Sequence, residues 1–106
     1  MQVNEVAQRI SDSITIREKA EGKDITRFQL SQKSISAIAK REILTGHFIG
    51  ELSSEMLNYG WCCFQVTSTS FAFLKLSTAQ NFRRFNSDTL LEYLGETNDD
   101  EDESED

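Results

Sequence analysis

The groups able to do chemistry in this 106-residue chain are few: a single histidine, His47, and two cysteines, Cys62 and Cys63, that are neighbours. Three such residues cannot supply a zinc site, which takes three or four protein ligands. A bridge between adjacent cysteines would close a small strained ring, so both read as reduced thiols in a reducing compartment. A Cys–His nucleophile pair is formally available, but thiols between apolar neighbours on a strand are usually inert packing. Gly46-His47-Phe48-Ile49-Gly50 lacks both the spacing and the lysine of a phosphate loop. Glu51 and Glu55 lie one turn apart, an ordinary spacing on an exposed helix. His47 reads either as a solvent-facing helix residue or as a polar contact to a ligand. These residues predict no enzyme, no metal, no cofactor and no small-molecule substrate.

Charge says more than reactivity does. The net charge is -7, yet residues 1–95 carry 11 Lys or Arg against 10 Asp or Glu, while residues 96–106 hold the other 8 acids and no base. The expected organisation is one domain over 1–95 and an unfolded acidic tail over 96–106, because a run of like charges repels itself and has nothing apolar to bury. The tail reads as a solubilising segment or as a nucleic-acid mimic competing for the domain's own basic surface. No apolar run approaches the roughly 20 residues of a membrane span. The start, Met1-Gln2-Val3-Asn4-Glu5, lacks the basic and apolar blocks of a secretory signal. A cytoplasmic location without membrane contact is the expectation.

The elements that must position these residues follow from periodicity. Val3, Val6, Ala7, Ile10 and Ile14 recur at steps of three and four, which predicts a helix over about 3–14. The charged, glycine-containing stretch 17–24 predicts a loop. Thr26, Phe28 and Leu30 alternate with polar neighbours as in a short half-buried strand. Ser31 can cap a helix whose inner face is Ile35, Ile38 and Ala39, ending near residues 40–41. Thr45 can cap another, with the stripe Phe48, Ile49, Leu52, Met56 and Leu57. Gly60 can terminate it in the left-handed conformation, with Trp61 folding back.

Beyond Gly60 the period becomes two. Cys62, Phe64 and Val66 share one strand face, and Ala72, Leu74 and Leu76 share one face of the returning strand. The turn Thr67-Ser68-Thr69-Ser70 has neither glycine nor asparagine, which predicts a four-residue or looser hairpin connection. The other face offers Trp61, Cys63, Phe71 and Phe73, so the hairpin is apolar on both sides and its second side needs a cover. That cover is expected from the C-terminal segment or from a second copy of the chain. In the C-terminal segment Ser77 and Gln80 form a capping box ahead of Ala79, Phe82 and Phe85, and a second helix starts at Ser87 and runs to Gly95.

The order helix, strand, helix, turn, helix, hairpin resembles the winged helix-turn-helix family over residues 26–76. Ile38-Ala39, Leu44, Ile49 and Leu52 match its helix-crossing positions, and Leu57-Asn58-Tyr59-Gly60-Trp61 resembles its helix-to-wing junction. The resemblance implies a small α+β domain with three N-terminal helices, a short strand plus β-hairpin wing and short C-terminal helices. It further implies a DNA-binding regulator of transcription, with bases read from the N-terminal part of the helix after Thr45. The residues so placed are Thr45, Gly46, His47, Gly50, Glu51 and Ser54, and none is basic.

Candidate phosphate contacts are Lys33, Lys40 and Arg41 around the preceding helix, Lys75 on the hairpin, and Arg83 and Arg84 after it. Each short basic pair also reads as plain solvated surface. Double-stranded DNA is therefore one expected partner. A homodimer or protein partner contacting Trp61, Phe71 and Phe73 is the other, on a scaffold that has lost DNA binding.

Overall fold

Residues 3–21 form one continuous helix, α1 (Val3–Glu21), two turns longer than the apolar spacing alone requires. The structure is a computed structural model that describes residues 1–96. Of the expected acidic tail, 97–106 lie outside the described residues. The extension of α1 replaces the expected loop for local reasons. Residues 17–21 are good helix formers, the Arg17 guanidinium bonds the Glu21 carboxylate one turn on at 2.8 Å, and Gly22 closes the helix at φ +70°. The added turns carry Glu18 to where its carboxylate accepts the Ile25 backbone N–H at 2.8 Å. Helix end and following strand are thereby tied together.

β1 (Arg27–Ser31) leads directly into α2 (Gln32–Ala39), whose cap is Ser31: its hydroxyl accepts the Ser34 N–H at 3.0 Å. α2 ends at Lys40, the single non-glycine residue with positive φ (57°) among the described residues. α3 (Gly46–Asn58) starts at Thr45, whose hydroxyl accepts the Phe48 N–H at 3.1 Å. Gly60, at φ +85°, turns the chain into the hairpin of β2 (Trp61–Thr67) and β3 (Ser70–Lys75).

The hairpin turn is tighter than expected, with two residues, Ser68 and Thr69, between the strands. Neither has positive φ, so the turn is not one of the mirror-image types that match strand twist. A bulge between Gln65 and Thr67 takes up the mismatch. Side-chain hydroxyls replace the missing glycine: Thr67 Oγ1 accepts the Thr69 N–H at 3.2 Å and lies 2.8 Å from Ser70 Oγ.

The three strands form one antiparallel sheet in the order β1-β3-β2. The architecture is α+β and winged-helix-like, with α1, α2 and α3 packed on one side of the sheet. Val6, Ala7 and Ile10 of α1, Ile35 and Ala39 of α2, and Phe48, Leu52 and Met56 of α3 are buried with Trp61, Phe71 and Phe73. Phe28 lies between two of the sheet aromatics, its ring stacked 4.7 Å from Phe73 and edge-on to Trp61 at 5.1 Å. Aromatic pairs in these geometries add about 0.5–1.5 kcal/mol beyond the area they bury.

The C-terminal segment departs from expectation. α4 is a single turn (Leu76–Ala79) with no side-chain cap, so the Ser77–Gln80 box does not form and Phe82 and Phe85 fall outside any helix. α5 (Ser87–Tyr93) is capped by Asn86, not Ser87: the Asn86 side-chain oxygen accepts the Thr89 N–H at 2.9 Å. No residue of α5 is buried.

Candidate functional site

Strand pairing decides which side of the hairpin looks outward. Phe28 and Leu30 of β1 stand opposite Phe73 and Phe71 of β3, and Cys63 of β2 stands opposite Phe73. These side chains share the helix-facing surface. Trp61, Phe71 and Phe73 are 5%, 4% and 1% exposed, which corrects their assignment as partner contacts. The physical reason is that β1 has one apolar face, and pairing with β3 forces that face and the bulkiest hairpin aromatics to the same side. The helices therefore cover the side expected to need a cover, and the opposite side stays open.

The open side is built by Arg27 and Gln29 of β1, Ala72 and Leu74 of β3, and Cys62 and Phe64 of β2, with Val66 at the bulge beyond them. Phe64 is 51% exposed and Val66 49%. Arg27, Gln29, Phe64, Ala72 and Leu74 line a concavity of about 410 Å³ on it. Among the described residues, Arg27 is the one charged strand residue with this orientation. In soluble proteins, exposed apolar patches larger than a few hundred Å² mark contact surfaces.

Among the described residues, Cys62 and Cys63 are free thiols on opposite sides of β2. Burial pushes the Cys63 thiol above its ordinary value, against a smaller opposing effect of its hydrogen bond with Ser53. Among the described residues there is no group of three or more His, Cys, Asp or Glu side chains placed to hold a metal ion. No helix among them is long and apolar enough to cross a membrane.

The basic residues expected to meet DNA are scattered. The Arg41 guanidinium lies 4.2 Å over the Phe48 ring and donates to the Met1 carbonyl at 3.1 Å, beside the start of α1. Lys75 is not at the tip of the hairpin but at its base: its Nζ is 3.9 Å from Glu18 Oε2 and 6.0 Å from the Trp61 ring, near the end of α1. At 1.5 Å per residue, the 15 helical steps from Val3 to Glu18 put these two ends of α1 roughly 22 Å apart. Lys33 follows Gln32, whose N–H bonds the Thr69 carbonyl of the hairpin turn at 2.8 Å. That turn itself carries no charge. Arg83 and Arg84 lie in the exposed connector before α5, with Arg83 4.9 Å over the Phe85 ring.

α3 presents His47, Gly50, Glu51 and Ser54 outward, with Thr45 at its cap. Together with Val3 and Glu55 they line a shallow depression of about 430 Å³. His47 Nε2 is 3.4 Å from Glu51 Oε2. The face that would enter a groove thus carries two carboxylates and no lysine or arginine.

Lys40 tests whether this end of the molecule is under functional constraint. A left-handed lysine costs about 1–2 kcal/mol in backbone strain, whereas glycine tolerates the conformation at a smaller entropic penalty. Lys40→Gly is expected to raise stability by about 0.5–1 kcal/mol. Urea unfolding measures it, and destabilisation would mean that the lysine side chain holds the α2–α3 turn together.

Comparison with protein-family models, curated proteins and solved structures finds no match for this chain.

Proposed function

We propose that this chain is a protein-interaction module on a winged-helix-like scaffold, with the open side of the sheet as its contact surface and no catalytic role. The supporting observation is the contrast between two faces. The sheet presents Phe64, Ala72 and Leu74 around one cation, Arg27, while the groove-facing side of α3 presents Glu51 and Glu55 without a lysine or arginine. Affinity for DNA comes mainly from neutralised phosphates, and carboxylates on the groove helix oppose that. A partner suited to the sheet brings apolar side chains for Phe64 and Leu74 and a carboxylate for Arg27.

The winged-helix family resemblance motivates the competing reading of a DNA-binding regulator, in which Lys33, Lys40, Arg41, Lys75, Arg83 and Arg84 grip phosphates. A photo-crosslinking side chain placed at position 64 or position 54 of the full chain, activated in cells, separates the two. The interaction reading predicts protein adducts from position 64 and none from position 54. Nucleic-acid adducts from position 54, with none from position 64, would overturn it in favour of DNA binding.

A further inference from the structure

We infer that the free edge of β2 pairs antiparallel with β2 of a second copy of this chain, across a two-fold axis at Cys63, so that the two sheets join into one. The inference goes beyond the interaction reading, whose contact is the face of the sheet and not its edge. With the strands in the order β1-β3-β2, β2 is paired along one side only. The Leu76 N–H bonds the Gly60 carbonyl, while the Lys75 N–H bonds the Thr26 carbonyl on the other side of β3. Antiparallel ladders alternate from residue to residue. Cys62 and Phe64, opposite Leu74 and Ala72, therefore aim their backbone groups at β3, and Trp61, Cys63 and Gln65 aim theirs outward. No other backbone group of the described residues bonds to those outward groups.

Folded proteins usually guard a sheet edge with charge, proline, a short strand or a bulge, because unpaired N–H and C=O groups template another strand. β1, the other edge, has five residues, carries Arg27 and turns at Ser31 straight into α2. β2 has seven residues with no charge and no proline, and its bulge lies beyond Gln65. It is the unguarded edge.

The outward residues of β2 are also self-complementary. Cys63 is the middle one, so a two-fold axis there sets it against Cys63 of the second copy and sets Trp61 against Gln65 of the second copy. Each outward N–H then meets an outward carbonyl, with one contact used twice. The ladder ends at Gly60, where the chain turns at φ +85°, and at the bulge after Gln65. Residues 61–65 carry no charge, so pairing the strand with itself brings no like charges together. On the open side it places Phe64 beside Cys62 of the second copy, which makes two apolar surfaces continuous.

The test is residue-resolved amide hydrogen exchange of the full chain at low and high protein concentration, with sedimentation velocity alongside. The wild type is expected to dimerise, and the amides of Trp61, Cys63 and Gln65 to exchange more slowly as it does so, while those of Cys62 and Phe64 are slow throughout. Gln65→Pro removes an outward donor and no bond to β3, and Gln65→Lys adds a charge to the edge. Each is expected to weaken dimerisation by about tenfold or more, with Trp61 fluorescence reporting that the variants still fold.

A chain that stays monomeric at every concentration overturns the inference. Dimers that neither variant weakens, or in which the outward amides exchange as in the monomer, overturn it as well. If those amides slow only when a different protein is added, an extended strand of that protein holds the edge and the second copy does not. Crosslinking of position 64 to a different protein, from a chain that stays monomeric, would keep the interaction reading and remove the dimer.

Discussion

Phe73→Ala is expected to lower the unfolding free energy by about 3–5 kcal/mol, the usual cost of deleting a buried phenyl ring. Phe73 is 1% exposed, pairs with both Phe28 and Cys63 across the sheet, and stacks on the Phe28 ring at 4.7 Å. Little can collapse into the space it leaves, because three helices and two strands meet there. Total stability of a small domain is about 5–15 kcal/mol, so the variant is expected to be partly unfolded at physiological temperature. Trp61, the one tryptophan, lies 5.1 Å from Phe28 in the same cluster and reports the transition by fluorescence in urea. Phe64→Ala, on the other side of the same hairpin, should change the unfolding free energy by no more than about 0.5 kcal/mol in a monomeric sample. Equal losses from the two variants would mean that the hairpin has no open side.

The second large effect concerns the orientation of α3. Leu52→Ala is expected to cost about 2–5 kcal/mol, since Leu52 is fully buried with Met56 and Phe48 against α1 and the sheet. Its neighbour Glu51 and the next outward residue, Ser54, are exposed, and Glu51→Gln or Ser54→Ala should each change stability by no more than about 0.5 kcal/mol. Thermal unfolding of the three variants reads this directly. A rotation of α3 by about one residue, roughly 100°, would exchange the pattern.

Capping and alternation were legible in the residues alone. Ser31 and Thr45 cap α2 and α3 because a hydroxyl before an apolar-periodic run can accept a free amide. Gly60 ends the stretch after α3 in the left-handed conformation and Trp61 turns into the core. The far end of α1 was hidden because charged residues carry no apolar period, although five good helix formers with an internal ion pair extend a helix just as well. Ser87 lost the cap to Asn86 by one position, a margin that sequence does not resolve.

The side of the hairpin that faces the helices was the consequential error. Both of its faces are apolar, so alternation alone could not order them. The missing signal was β1: Arg27 and Gln29 make one of its faces polar, and pairing opposite Leu74 and Ala72 assigns that face to the outside. The scattering of the basic residues was equally invisible, because Arg41 and Lys75 are separated by the length of α1 and not by any property of their local sequence.

Cys62 and Cys63 give the most direct reading of the orientation on which the interaction surface depends. Adjacent strand residues point to opposite sides, and a one-residue slip would exchange them. Dilute native protein treated with maleimide and resolved by peptide mass spectrometry is predicted to label Cys62 first, with Cys63 slowed by burial and by its raised thiol pKa. Faster labelling at Cys63 would put Phe64 and Leu74 against the helices and contradict the account.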